Sequence, residues 1–144
     1  MAADVPTVFL DANILFSAAY DAESRSAVLF AEAHRGRCAV VTSPYAIAEA
    51  RRSLAKKYPE ALASLDRYVR QVRLVRDTAP AQVREATDRH LVPMEDAPIL
   101  AAALQAGVDY LVTGDRAHFG HLMDRAVPGL PVRVLSLAKA LDLF

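Results

Sequence analysis

The chain predicts an α/β fold built on a parallel, doubly wound sheet of about five strands, and three observations carry that prediction. Short apolar runs alternate with helix-patterned segments along the whole length. The strongest of these runs, such as Val8-Phe9-Leu10 and Tyr110-Leu111-Val112, are continuous rather than alternating, as expected of strands covered on both faces. A length of 144 residues with 53% hydrophobic content, much of it alanine, suits helices packed over one buried sheet, so a single domain over 1–144 is expected.

Taken in order, Val5 to Leu10 reads as a central first strand, and Ile14 to Ala19 as a short helical turn. Asp21 to Ser24 is a polar break in which Ser24 is placed to cap a helix from about Ser26 to His34, stopped by Gly36. Arg37 to Thr42 is the second strand. Ser43-Pro44 supplies an N-cap and a first-turn proline for a helix to about Lys57, with Ile47, Ala50 and Leu54 on one face. Tyr58-Pro59 breaks it, and a second helix to about Val72 completes a helical hairpin over 44–72, with Leu62, Leu65, Tyr68 and Val69 on its inner side. A short strand over Val72 to Val75 precedes a helix opened by Ala79-Pro80 and ending near Arg89. After the connector Leu91-Val92-Pro93-Met94, Glu95-Asp96-Ala97-Pro98 begins an apolar helix through Ile99 to Ala106, closed by Gly107. Asp109 to Thr113 is the next strand, His118 to Asp124 a short helix or loop, Pro131 to Leu135 the last strand, and Ser136 caps a final helix.

Composition narrows the function classes. No apolar run is long enough to span a bilayer, and Met1 to Pro6 carries no basic region followed by a long apolar stretch. One cysteine, Cys38, cannot form an internal disulfide and reads as a small buried hydrophobe. Together these predict a cytoplasmic protein. Net charge is zero, yet between Arg51 and Arg76 eight basic residues face only two acidic ones, so a neutral total hides a basic flank.

Four carboxylates stand at comparable structural places. Asp11 and Asp115 end strands, Asp96 begins a helix, and Glu49 lies early in the helix after the second strand. In a doubly wound sheet helices begin where strands end, so all four converge on the carboxyl edge, where such folds bind ligands. Each has a plainer reading. Asp96 and Asp11 serve as helix caps, Asp115 as a turn former, and Glu49 as solvated surface. Jointly they are carboxylates that repel one another unless a cation intervenes, and hard oxygen ligands suit Mg²⁺ or Mn²⁺ over Zn²⁺. His118 and His121 invite a zinc reading, but no Cys or further His completes a closed site.

Leu10-Asp11-Ala12-Asn13, Glu49 within Ile47-Ala48-Glu49, Asp96 within Glu95-Asp96-Ala97-Pro98-Ile99-Leu100, and Tyr110-Leu111-Val112-Thr113-Gly114-Asp115 resemble the successive acidic motifs of PIN-domain ribonucleases. Bacterial toxins of the VapC type are the group most similar. The resemblance runs from about Thr7 to Leu135, in order and spacing. It implies a three-layer PIN-like fold whose helical hairpin serves as an arm for dimerisation and for holding an antitoxin. It also implies a metal-dependent endoribonuclease, the toxin of a toxin–antitoxin pair, that acts as a homodimer.

On that reading Asp11, Asp96 and Asp115 hold one or two Mg²⁺ or Mn²⁺ ions, with Glu49 holding the ion, directly or through water, or orienting the attacking water as base. Asn13 and Thr113 act behind them, fixing carboxylate geometry. Asp88, Glu95 and Asp109 read as surface. Arg116, Arg51 and Arg52 are the candidate RNA contacts, with Lys56, Lys57 and a stripe of Arg67, Arg70 and Arg73 as a broader basic face. Tyr20, Phe119 and Tyr45 are the aromatic residues available for stacking. An antitoxin, where one exists, is expected to place a side chain among the four acids. Two other classes remain. A non-catalytic PIN-fold module would bind protein or RNA through its helices. A haloacid-dehalogenase-like phosphohydrolase would want a second Asp where Asn13 stands and a downstream Lys, and none occurs between Lys57 and Lys139.

Overall fold

A computed structural model describes residues 4–144. Met1, Ala2 and Ala3, part of the stretch read for a leader, lie outside the described residues. Five strands form one sheet in the order β3-β2-β1-β4-β5: β1 (Thr7–Leu10), β2 (Ala39–Thr42), β3 (Arg73–Leu74), β4 (Tyr110–Val112) and β5 (Arg133–Leu135). Every pairing is parallel. β1 is central, with Val8, Phe9 and Leu10 fully buried, which is why its sequence is continuously apolar. In register, Phe9 lies beside Val41 on one flank and Leu111 on the other, so the strands end together at one edge.

Among the described residues, eight α-helices flank the sheet: α1 (Ala12–Tyr20), α2 (Arg25–His34), α3 (Pro44–Lys57), α4 (Leu62–Val69), α5 (Pro80–His90), α6 (Ala97–Ala106), α7 (Arg116–Phe119) and α8 (Leu137–Leu143). The expected caps form. Ser24, Ser43 and Ser136 each accept a hydrogen bond from a backbone N–H three residues on, and Gly107 ends α6 with positive φ. α1 packs against α2, α3 and α4, α2 against α8, and α5 against α6, which also touches β4. α6 is buried nearly all round, with Ala97 and Ile99 through Ala103 inside. None of the described helices is long and apolar enough to cross a membrane. Cys38 is buried as expected, and burial pushes its thiol up to about 11.

The hairpin over 44–72 is present, and its inner face docks on α1 through fully buried Leu54 and Leu65. It is shorter than the sequence predicts. A 3₁₀ turn (Pro59–Ala61) opens its second arm, and α4 stops at Val69 with Arg70 as its cap. Arg73 then lies on β3, so Arg67, Arg70 and Arg73 do not form one helical stripe. α1, conversely, is longer than a turn, because Asp11 caps it and the apolar pattern runs on to Tyr20.

Candidate active site at the carboxyl edge of the sheet

Asp11 leaves the end of β1 and enters α1. It is 4% exposed, and its oxygens are well used. Oδ1 accepts the Ala12 N–H at 2.6 Å, while Oδ2 accepts the Thr113 hydroxyl at 2.8 Å and the Asn13 amide at 3.3 Å. Thr113 leaves the neighbouring strand β4 and is fully buried. Its Oγ1 also accepts the Asp115 N–H at 3.0 Å, so one hydroxyl ties the two acidic strand ends together. The Asn13 Oδ1 accepts the Gly114 N–H at 2.8 Å. A Cβ at Gly114 would lie in ordinary contact with that oxygen, 3.4 Å away, so the turn packs closely on Asn13. Asn13 and Thr113 thus both donate to the same oxygen of Asp11.

Asp96 stands at the N-cap position of α6 but makes no capping hydrogen bond, which removes the plain reading of that residue. Its Oδ2 lies 2.5 Å from His118 Nδ1, and Asp115 Oδ2 lies 2.9 Å from the same nitrogen. Asp115 does cap a helix, accepting the His118 N–H at 3.0 Å through Oδ1, and so combines the turn role with the site role. Glu49 sits one and a half turns into α3, half-buried. Asp11, Glu49, Asp96 and Asp115 all line one cleft of about 280 Å³, shared with Asn13 and Phe16.

Electrostatics follow from that crowding. Burial pushes Asp11 from 3.8 up to about 6, helped by the charges of Asp96 and Asp115 and opposed by the Thr113 and Ala12 hydrogen bonds. Burial likewise pushes Glu49 from 4.5 to about 7, with Asp11 and Asp96 adding to it and Arg52 opposing it. Asp96 is raised by burial and held back by His118. Burial disfavours the His118 cation, but the two facing carboxylates outweigh it and raise its pKa. Carboxylates held this close and this dry call for positive charge. The imidazole supplies part of it, bridging Asp96 and Asp115 where a cation would neutralise them.

The position of His118 has no local signal in the sequence. His121 does not join it in a zinc pair but contacts the His90 carbonyl through Nε2 at 2.8 Å. Glu95, read as surface, is exposed, yet its carboxylate joins Asp96 and His118 in a group whose ligand atoms lie within 4.8 Å of one another. Asp88 and Asp109 are exposed as expected, and Asp109 accepts the Thr7 N–H at 2.8 Å. Ser53 and Lys57 also line the cleft. They follow Glu49 at successive four-residue steps, a helical spacing that would have revealed them.

Among the basic candidates, Arg116 and Arg52 are exposed near the acids, and the Arg52 charge reaches Glu49. Arg51 is taken by Asp66, 2.9 Å away, and staples α3 to α4. Phe119 is fully buried and has no face to offer a base, because α7 needs it in the core. Tyr45 donates its hydroxyl to the Glu95 carbonyl at 2.6 Å, and Tyr20 is half-exposed.

Residues 7–117 match a family model described as PIN domain. No curated protein sequence matches the chain. Solved structures resemble it in fold. VapBC2 from Rickettsia felis, bound to a DNA fragment from its promoter, superposes with a TM-score of 0.65 at 17% identity, covering 89% of this chain and 98% of its own. VapBC-1 from nontypeable Haemophilus influenzae gives 0.60 at 14% identity, with 92% and 99% covered. The Mycobacterium tuberculosis toxin VapC20, described as cleaving the sarcin-ricin loop, gives 0.59 at 16% identity, with 79% and 94% covered.

Proposed function

Because the chain belongs to the PIN domain family, we propose that it is a divalent-metal-dependent endoribonuclease of the VapC kind, the toxin of a toxin–antitoxin pair. The observation that carries this reading is the convergence of Asp11, Glu49, Asp96 and Asp115 on one cleft, with Asp11 and Glu49 raised to about 6 and about 7.

The residues present fit Mg²⁺ or Mn²⁺. The donors are hard oxygens, and Asp96 Oδ2 and His118 Nδ1 are buried with no hydrogen-bond partner beyond the Asp96–His118–Asp115 contact itself. Asp11, Asp96 and Asp115 would hold one or two ions. A bound ion supplies positive charge to the scissile phosphate and acidifies water beside it. Thr113 and Asn13 fix the Asp11 carboxylate so that it does not turn away from the cleft. Glu49, with a pKa near neutrality, is suited to orient the attacking water and accept its proton. Arg116 and Arg52 offset the repulsion between an acidic cleft and a polyanion.

The partners proposed are an RNA substrate, a small antitoxin that covers the cleft, and a second copy of the chain. The structural relatives named VapBC support the antitoxin. The site chemistry and the reducing-compartment cysteine usage favour a cytoplasmic setting.

The test uses purified protein and a mixed pool of structured RNAs, comparing Mg²⁺ or Mn²⁺ with EDTA and wild type with Asp11→Asn and Asp96→Asn. Metal-dependent cleavage lost in both variants is the expected result. Calorimetry completes the test: a folded protein that fails to bind Mn²⁺ refutes the metal site and the proposed activity with it.

A further inference from the structure

Three aromatic rings gather at the lip of the cleft. Phe16 lines the cleft itself, and Tyr20 follows one helical turn along α1. Tyr58 comes across from the end of α3. Ring centroids are 6.2 Å apart for Phe16–Tyr20, 6.1 Å for Phe16–Tyr58 and 4.1 Å for Tyr20–Tyr58. Lys57, which also lines the cleft, holds its Nζ 5.8 Å from the Phe16 ring centroid. Tyr20 remains 51% exposed.

From these contacts we infer that Phe16, Tyr20 and Tyr58 form a stacking platform for an unpaired nucleobase next to the scissile phosphate, with Lys57 taking the phosphate between them. The inference rests on the nuclease reading and adds what that reading lacks, a contact to the base rather than to the backbone. Asp11 caps α1, so Phe16 and Tyr20 lie roughly 7.5 and 13.5 Å along the helix from the acid, within reach of the nucleotides that flank the cut. Aromatic faces stack on any base, and the partner must be single-stranded for a base to present its face. Lys57 is the cation shared by cleft and platform. Asp21 and Glu60 carry negative charge near the Tyr20 hydroxyl, which keeps phosphate on the Lys57 side.

A nucleobase fits this surface better than an apolar protein helix does. The other exposed large apolar side chains among the described residues, Val28, Leu74, Leu91, Met94 and Leu143, lie outside α1 and α3. The rings therefore stand beside cations and acids instead of continuing into an aliphatic groove.

The chain has no tryptophan, which makes a direct test available. Tyr20→Trp places a sole tryptophan on the platform, and Tyr20→Leu removes the ring while keeping an apolar side chain. Binding of a labelled single-stranded RNA decamer is read in EDTA at low ionic strength, beside an abasic strand of equal charge. Tyr20→Trp is expected to bind as wild type does, with its emission quenched by the RNA and not by the abasic strand. Tyr20→Leu is expected to lose about tenfold or more in affinity for RNA, with the abasic strand unaffected. Equal losses for both strands would make the rings structural packing only, and unchanged RNA binding by Tyr20→Leu would show that no base stacks on this face. Either result overturns the inference, as does a wild type that does not discriminate the two strands. Cleavage of RNA by wild type in Mn²⁺ is followed in parallel. Cleavage that persists while Tyr20→Leu binds normally refutes the platform alone, whereas absent cleavage and absent Mn²⁺ binding refute the nuclease reading.

Discussion

Replacing Asp11 with asparagine should make the metal-free protein more stable at neutral pH while removing its activity. In the native state the Asp11 carboxyl is raised from 3.8 to about 6, chiefly by burial. The native state therefore takes up the proton before the unfolded chain does. Its contribution to stability is full below the unfolded pKa and is lost as pH rises through about 6. Two pKa units amount to about 3 kcal/mol held against the folded state at pH 7.5. Asparagine carries no such charge. It still accepts the Ala12 N–H, but its amide cannot accept the Asn13 N–H and Thr113 hydroxyl as Oδ2 does, at a cost of about 1 kcal/mol. The net gain is about 2 kcal/mol. Urea unfolding in EDTA measures it, with wild type and variant compared at pH 7.5 and pH 4. At pH 4, where wild-type Asp11 is itself neutral in the fold, the advantage should be gone and the variant left slightly less stable by its lost hydrogen bonds. A variant no more stable than wild type at pH 7.5, or an advantage that persists undiminished at pH 4, would refute the claim that Asp11 is held charged against its environment.

Three further outcomes follow from the same geometry. Glu49→Gln should lower kcat by about 10²–10⁴ with little change in KM, measured on whichever RNA the wild type cleaves, and a change confined to KM would remove Glu49 from the proton transfer. Mn²⁺ should raise the Tm of wild type more at pH 7.5 than at pH 5, because protons compete for the same carboxylates, and equal shifts at both would place the ion elsewhere. Thr113→Val keeps the shape but deletes the hydroxyl shared by Asp11 and the Asp115 backbone. It should cost about 1–2 kcal/mol by urea unfolding and weaken Mn²⁺ binding by about tenfold in calorimetry, and unchanged Mn²⁺ affinity would show that the carboxylates orient without it.

Much of this architecture is legible in the sequence because local signals and burial agree. Ser43-Pro44 caps α3 and Gly107 ends α6 as their chemistry demands, and the fully apolar Val8-Phe9-Leu10 is fully enclosed. The four acids are legible for a topological reason: in a parallel sheet, residues just past a strand end share an edge however far apart they lie in the chain. What escapes is side-chain reach across elements. Nothing local to Arg116-Ala117-His118-Phe119 says that the imidazole bridges two carboxylates and the phenyl ring is buried. Nothing local to Arg51 says that Asp66 takes it, since the pairing depends on how closely α4 folds back on α3. The stripe of Arg67, Arg70 and Arg73 fails because a short strand pairing at Arg73 wins over one more helical turn.

The hydroxyl of Thr113 meets a carboxylate 102 residues earlier in the chain, and this separation has a consequence for timing. A growing polypeptide has Asp11 and Glu49 in hand long before Thr113 and Asp115 arrive with β4. Until that strand slots in beside β1, the first acid has neither its hydroxyl partner nor its neighbour, and the cleft has no fourth wall. Such a contact is made late, after the short-range helices have formed. For a molecule whose proposed target is RNA, the order of assembly would itself be protective: the nascent chain would pass the RNA of its own ribosome with the cleft incomplete, and gain the proposed activity only once β4 has paired with β1.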